Sequence, residues 1–351
     1  MTLDELKSHV TTIIGENTEK DYVIEPKTHA RIYQDKAPEL AALLSSTEVQ
    51  AMAEEYTTYD AKAGLAQKDF KKWSKWANCA IFLTAVFTAG LLASSIIFVP
   101  KEDYGIIREI VIGFFTVCSI VSSVFAGMCI SRIKNGKLLE NWMGKRAEAE
   151  NNRIDYFKVI TGKIKSLLPA NPPLAMFILE YFRRYQMDVQ LAFYERRSQD
   201  HENLAKKALT MSTAAIAVVA LINALAGYLG SRVPMWGAVA TLAVIAQAFA
   251  NKVTNTEAVN QDGRNAERYE RTRSILAKLK GKLDTIREAL FNGEADLVAA
   301  YIEQVNNEIS AEHRQWNEER SAGITGTFES QLAEYKEKRQ TNQGGAASNN
   351  G

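Results

Sequence analysis

The chain has 351 residues, 46% hydrophobic and 24% charged, and 42 Lys plus Arg against 41 Asp plus Glu leave a net charge of +1. That balance lacks the basic excess that nucleic-acid binding needs. Three cysteines (Cys79, Cys118, Cys129), with no CxxC pair and no neighbouring histidine, provide neither a disulfide framework nor a zinc site.

The N-terminal stretch MTLDELKSHV is charged and helix-like, with Thr2 and Glu5 at capping-box spacing. It does not read as a signal peptide, because the first apolar block begins only near residue 76. Residues 1–45 are expected to form a small N-terminal cytoplasmic helical segment. A helix start follows at STEVQAMAEEY, and from Ser46 to Val99 there is no proline.

The mean hydropathy of −0.19 suits a soluble protein, but the apolar residues are gathered in four uncharged blocks at 76–100, 110–131, 208–231 and 233–251. As helices these would be roughly 28–38 Å long, enough to cross a hydrocarbon core of about 30 Å. Backbone groups inside lipid must bond within their own segment, so helices are the natural reading. A soluble bundle rarely leaves helices apolar all round over this length. Lys62, Lys68, Lys71, Lys72 and Lys75 precede the first block. Arg132, Lys134 and Lys137 follow the second, Lys206 and Lys207 precede the third, and Lys252 follows the fourth. The short connectors carry little net positive charge, so the positive-inside rule puts both hairpin tips outside and both termini in the cytoplasm. Trp73 and Trp76 at the inner boundary, and Tyr104, Tyr228 and Trp236 at the outer one, fit an aromatic belt.

Helix-like sequence continues beyond each block. The second helix can run from about Ile106 to Leu168, where PANPP stops it; the third from about Leu174 to Gly230; the fourth from Pro234 to Leu290, before FNGE. Leu276, Leu279, Leu283, Ile286 and Leu290 form a 3-4-3-4 seam, and Ile154, Phe157, Ile160, Ile164 and Leu167 form another. These seams serve either packing within the chain or a subunit interface. The expected fold is an all-α integral membrane protein: two long antiparallel transmembrane helical hairpins (four spans) with a cytoplasmic helical-bundle or coiled-coil stem. The expected units are residues 46–168 and 169–292 for the two hairpins, 293–338 for a C-terminal cytoplasmic helix, and 339–351 for a polar, Gly-rich disordered tail.

The hairpins read as copies. Tyr59 opens the approach to the first block and Tyr194 the approach to the third. After the second and fourth blocks come NWMGKRAEAENNRIDYF and NQDGRNAERYERTRSIL, which align Asn141 with Asn260, Gly144 with Gly263, Ala147 with Ala266 and Glu148 with Glu267. The basic, Tyr-started helix before a hairpin and the W-x-x-x-R-x-x-x-E pattern after it, here Trp142, Arg146 and Glu150, resemble the SLATT family. These are two-span membrane domains associated with SMODS nucleotidyltransferases and SLOG nucleotide sensors. The second copy has Gln261, Asn265 and Tyr269 at those places and keeps none of the three. The resemblance covers about residues 50–290. It implies a pore-forming or membrane-perturbing effector of a nucleotide-signalled bacterial defence system, in the bacterial inner (plasma) membrane, with a nucleotide-signalling partner protein and no catalytic residues.

The residues themselves support no enzyme. There is no phosphate-binding loop, EF-hand, HExxH or GxSxG, and His9, His29, His201 and His313 are scattered. No cofactor or metal is expected, and the partners expected are the lipid bilayer and further copies of the chain. In the second block Thr116, Ser119, Ser123 and Gly127 form a stripe at spacing 3, 4, 4; Asn223 lies in the third block and Gln247 in the fourth. These are candidate pore-lining residues, or alternatively sites of close helix packing with hydroxyls bonded back to the helix. Arg146 with Glu150 and Arg264 with Glu267 have ion-pair spacing on one helix face. They are either surface pairs or clamps that hold the two stems of a hairpin. Two functions remain open: an oligomeric channel or pore gated through its cytoplasmic stem, and a membrane-anchored scaffold that recruits partners without conducting. A transporter fits less well, since no block carries a mid-depth charge or a proline break.

Overall fold

The computed structural model describes residues 1–98, 105–230 and 238–311, and among them there are helices and turns but no strand. Helix α1 (Leu3–Ile14) is closed at its start by the Thr2/Glu5 capping box. A 3-10 turn (Glu19–Tyr22), α2 (Pro26–Tyr33) and α3 (Pro38–Leu44) follow, the last two opened by proline at the first position. Helix α4 (Thr47–Ile97) has 51 residues and is roughly 75 Å long. The Ser46 hydroxyl caps its first turn, and the sequence offers no proline to stop it.

Helix α4 packs against α5 (Gly105–Asn135), then against α6 (Leu138–Thr161), and also against α10 (Ala240–Asn260). A single turn, α7 (Ile164–Leu167), precedes α8 (Pro172–Phe182), which Asn171 caps. A π turn (Arg183–Asp188) carries α8 without interruption into α9 (Val189–Gly230). Helix α11 (Asp262–Lys280), α12 (Leu283–Phe291) and α13 (295–311) complete the described chain.

Three helical stretches, Thr47–Ile97, Gly105–Leu167 and Pro172–Leu229, are long and apolar enough to cross a membrane. In their most apolar windows only 17%, 6% and 6% of residues are buried, so Ile110, Phe114, Val117, Ile120, Val121 and Val124 on α5, for example, turn outward. Exposed apolar surface on this scale is what a bilayer covers. In the region expected as the fourth span, residues 238–251 are helical or nearly so and pack on α9 and α4, while 233–237 lie outside the described residues.

The second and fourth long helices expected from the sequence are each interrupted. Lys137 (φ 46°) divides α5 from α6, and Gln261 (φ 54°) divides α10 from α11. Lys137 lies six residues beyond the second apolar block and Gln261 ten beyond the fourth. The third runs unbroken, except that its π turn adds a local bulge.

The stems and the N-terminal helices share one core. Leu6, Val10 and Ile14 recur on one face of α1 and are buried with Tyr33, Leu40 and Leu44 against α8 and its neighbours. Residues 1–45 are thus an integral layer of this head rather than an appendage. Helix α8 is buried on every side, from Ala175 to Phe182. Both seams are spent inside the chain: Leu276, Leu279, Leu283, Ile286 and Leu290 are buried, as are Ile154, Phe157, Ile160 and Ile164. Helix α13 adds Val298, Tyr301, Ile302, Val305 and Ile309 to the same core. Residues 312–351, which hold the rest of the expected C-terminal helix and the expected tail, lie outside the described residues.

Candidate functional site: an interhelical groove and a stem clamp

The six pore-lining candidates fall in different places. On α5, Thr116 donates its hydroxyl to its own helix at Ile112 O (2.8 Å). Ser119 Oγ lies 3.0 Å from Thr88 Oγ1 on α4, a bond across the first hairpin. Ser123 and Gly127, further along the same stripe, are exposed. Asn223 and Gln247, by contrast, come together. They line one groove between α4, α9 and α10, with Ala85, Val219, Ala240, Ala243, Val244, Ala248 and Asn251 as the other walls.

The groove follows α10 from Ala240 to Asn251, roughly 16 Å. Gln247 Nε2 donates to Asn251 Oδ1 (3.0 Å), one turn on. Asn223 and Gln247 are both exposed. At one end Phe82 of α4 meets Phe249 edge-on, and Lys252 Nζ sits 5.0 Å from the Phe82 ring. Sequence reasoning missed Asn251, although its i, i+4 relation to Gln247 was there to be read.

Arg146 and Glu150 form a junction between α4, α6 and the N-terminal layer. Arg146 is ion-paired with Glu150 and reaches Asp60 Oδ1 of α4 (3.2 Å), and its Nη2 donates to Tyr22 OH (3.3 Å). Burial acts to lower the Arg146 pKa, but Glu150 and Tyr22 outweigh it and hold the guanidinium charged. Trp142 stacks on Phe70 at 5.6 Å, a second tie between α6 and α4.

One turn beyond Glu150 lies Arg153, fully buried. Its Nε donates to Gln186 Oε1 (2.9 Å), Nη1 to Tyr22 O (3.0 Å) and Nη2 to Tyr185 O (3.0 Å). The guanidinium also faces the rings of Tyr22, Tyr56 and Phe157. Arg153 therefore joins α6 and the N-terminal layer to the π turn that leads into α9. Positions 146, 150 and 153 share a helix face, a spacing that could have pointed to Arg153.

The second hairpin is fastened by other residues. Arg264 and Glu267 are exposed and not paired with each other. Helix α9 meets α11 instead through His201 Nδ1 and Asp262 Oδ1 (2.6 Å), Ser198 Oγ donating to Ala266 O (3.1 Å), and the Tyr194 and Tyr269 rings at 5.7 Å.

A further charged cluster ties the π turn to α11 and α12. The fully buried Glu180 accepts from Arg183 Nε and Arg287 Nε, both at 2.6 Å, and Asp188 accepts from Arg183 Nη1 (2.6 Å) and Lys280 Nζ (2.8 Å). Among the described residues no three His, Cys, Asp or Glu side chains are grouped to hold a metal. The head is a packed polar and apolar block, continuous through α4 and α9 with the apolar helices, in which the buried Gln186 Nε2 and both amide atoms of Asn306 have no hydrogen-bond partner among the described residues. Comparison with protein-family models, curated proteins and solved structures gives no match.

Proposed function

We propose that the chain is the subunit of an oligomeric membrane channel or pore, gated through its cytoplasmic helical head. In this reading residues 233–251 complete a fourth span, both termini are cytoplasmic, and the host is a bacterial plasma membrane. The SLATT-like motif at Trp142, Arg146 and Glu150 adds a role as effector of a nucleotide-signalled defence system.

The observation that carries the reading is the groove. Asn223 and Gln247 expose amides on helices whose neighbouring side chains, Val219 and Val244 among them, are apolar. Amide atoms left unpaired toward hydrocarbon are costly, and the bond to Asn251 satisfies only one donor of Gln247. Water in a shared path between copies, or a facing polar group of another copy, removes that cost. The head supplies a lever: Arg153 couples the first hairpin to the root of α9, so a displacement of the N-terminal layer acts on both groove walls.

Ion flux from the full chain in liposomes tests this. Asn223→Leu with Gln247→Leu should lower flux by at least about tenfold, as expected when the polar groups that line a path are lost. Ser123→Leu, which alters a residue outside the groove, should leave it unchanged. Flux that ignores the double substitution removes the groove from the path. No flux at any voltage or with any nucleotide favours the membrane-anchored scaffold.

A further inference from the structure

Lys68, Lys71, Lys72 and Lys75 recur on α4 at the spacing of a single helical face. All four are exposed, and among the described residues none makes an ion pair. The opposite face, with Ala63, Ala66, Phe70 and Ala77, is buried, Phe70 against Trp142 of α6. The one carboxylate in this stretch, Asp69, accepts from Trp73 Nε1 at 3.1 Å. The lysines therefore confront one another at i, i+3 and i, i+4, an arrangement that destabilises a helix unless negative charge is brought to it.

The place of this face limits what can bring that charge. Trp76, one turn beyond Lys72, is half exposed, and the uncharged block begins there. The rise from Lys68 to Lys75 is about 10 Å, close to the reach of a charged surface at physiological salt, about 8 Å. The approach to the third apolar block is not built this way: Lys206 is paired with Glu202 at 2.6 Å.

We propose that the Lys68–Lys75 face of α4 binds the headgroups of anionic lipids at the membrane boundary. The inference rests on α4 crossing a bilayer and is independent of whether the protein conducts. A sheet of negative headgroups meets four lysines at once and is continuous with the hydrocarbon that covers the next turns of the same helix.

The test uses the full chain in phosphatidylcholine vesicles with trace spin-labelled phosphatidylglycerol or phosphatidylcholine, reading the motionally restricted fraction of each. Phosphatidylglycerol should be preferred by at least about threefold, and about 0.5 M sodium chloride should erase the preference. The K68Q/K71Q/K72Q/K75Q variant should treat both lipids alike, while K206Q/K207Q keeps the wild-type preference. Should the fourfold variant fail to reconstitute, K71Q/K75Q carries the test with an intermediate loss. Equal restriction of the two lipids by wild type, or a preference undiminished by the substitutions, overturns the proposal. So does specific displacement by inorganic phosphate at constant ionic strength, which would mark a soluble-phosphate site.

Discussion

Arg153 is the residue on which most of the head converges. It is 0% exposed and supplies three donors to three acceptors from two other segments. Arg153→Met strands all three and should cost about 3–5 kcal/mol, read as a fall in the unfolding midpoint of the detergent-solubilised protein. Arg153→Lys should also destabilise, because one ammonium cannot reproduce a planar fork. Arg264→Met, at an exposed site, should stay within about 0.5 kcal/mol of wild type. His29 offers a separate test. Its Nδ1 lies 2.8 Å from Tyr181 OH, and burial pushes its pKa down from 6.5 to about 4, Asp21 and Glu25 opposing that shift and Arg184 adding to it. The unfolded chain therefore takes up a proton near pH 6.5 that the folded one refuses until about pH 4. His29's contribution is full above pH 6.5 and is lost as pH falls through this window, by up to about 3 kcal/mol. His29→Gln should flatten that part of the stability curve; a slope unchanged by the substitution would place the titration elsewhere.

Helices were legible in the sequence wherever a single physical requirement ran along many residues. Apolar blocks, proline stops at PANPP and the two seams all have this character, and each seam is buried at its expected positions except Leu167, which is partly buried. The breaks at Lys137 and Gln261 were not legible, because neither is a glycine, yet both adopt left-handed backbone; those between α6 and α7 and between α11 and α12 fall at Gly162 and Gly281. The crossing of α4 with α5 turns on a small residue in the same way. A Cβ at Gly90 would overlap the Phe115 ring, so the helices approach as closely as they do only because no side chain is there. Gly90→Ala should therefore destabilise the detergent-solubilised protein by about 1–3 kcal/mol. Adding Phe115→Ala should return part of that loss, and thermal unfolding of the two variants measures both. If the second change only adds to the first, the crossing is set by other residues. The Ser119–Thr88 bond on the same interface gives a reason why a hydroxyl stripe can serve packing rather than a path.

At the scale of the whole molecule, charge and hydropathy determine a direction that no contact within the chain specifies. Three stretches long and apolar enough to span emerge from a head that is polar on its outside and continuous through α4 and α9. Which side of a bilayer holds that head depends on lysine placement, and the unpaired lysines stand midway along α4, immediately before its apolar block. The groove was only half legible for a related reason: Asn223 and Gln247 can be named from their blocks, but that they face one space is decided by how α9 meets α10. Orientation can be tested directly in a background with Cys79, Cys118 and Cys129 replaced by alanine. A membrane-impermeant maleimide added to intact cells should label Glu102→Cys and Arg232→Cys, in the two connectors between blocks. Lys20→Cys, exposed in the N-terminal layer, should react only after the membrane is opened. The opposite pattern would invert the protein and place the lysine face on the outer leaflet. Labelling of the first connector but not the second would mean that the second hairpin does not cross, and the groove would then need an occupant on the head side of the membrane.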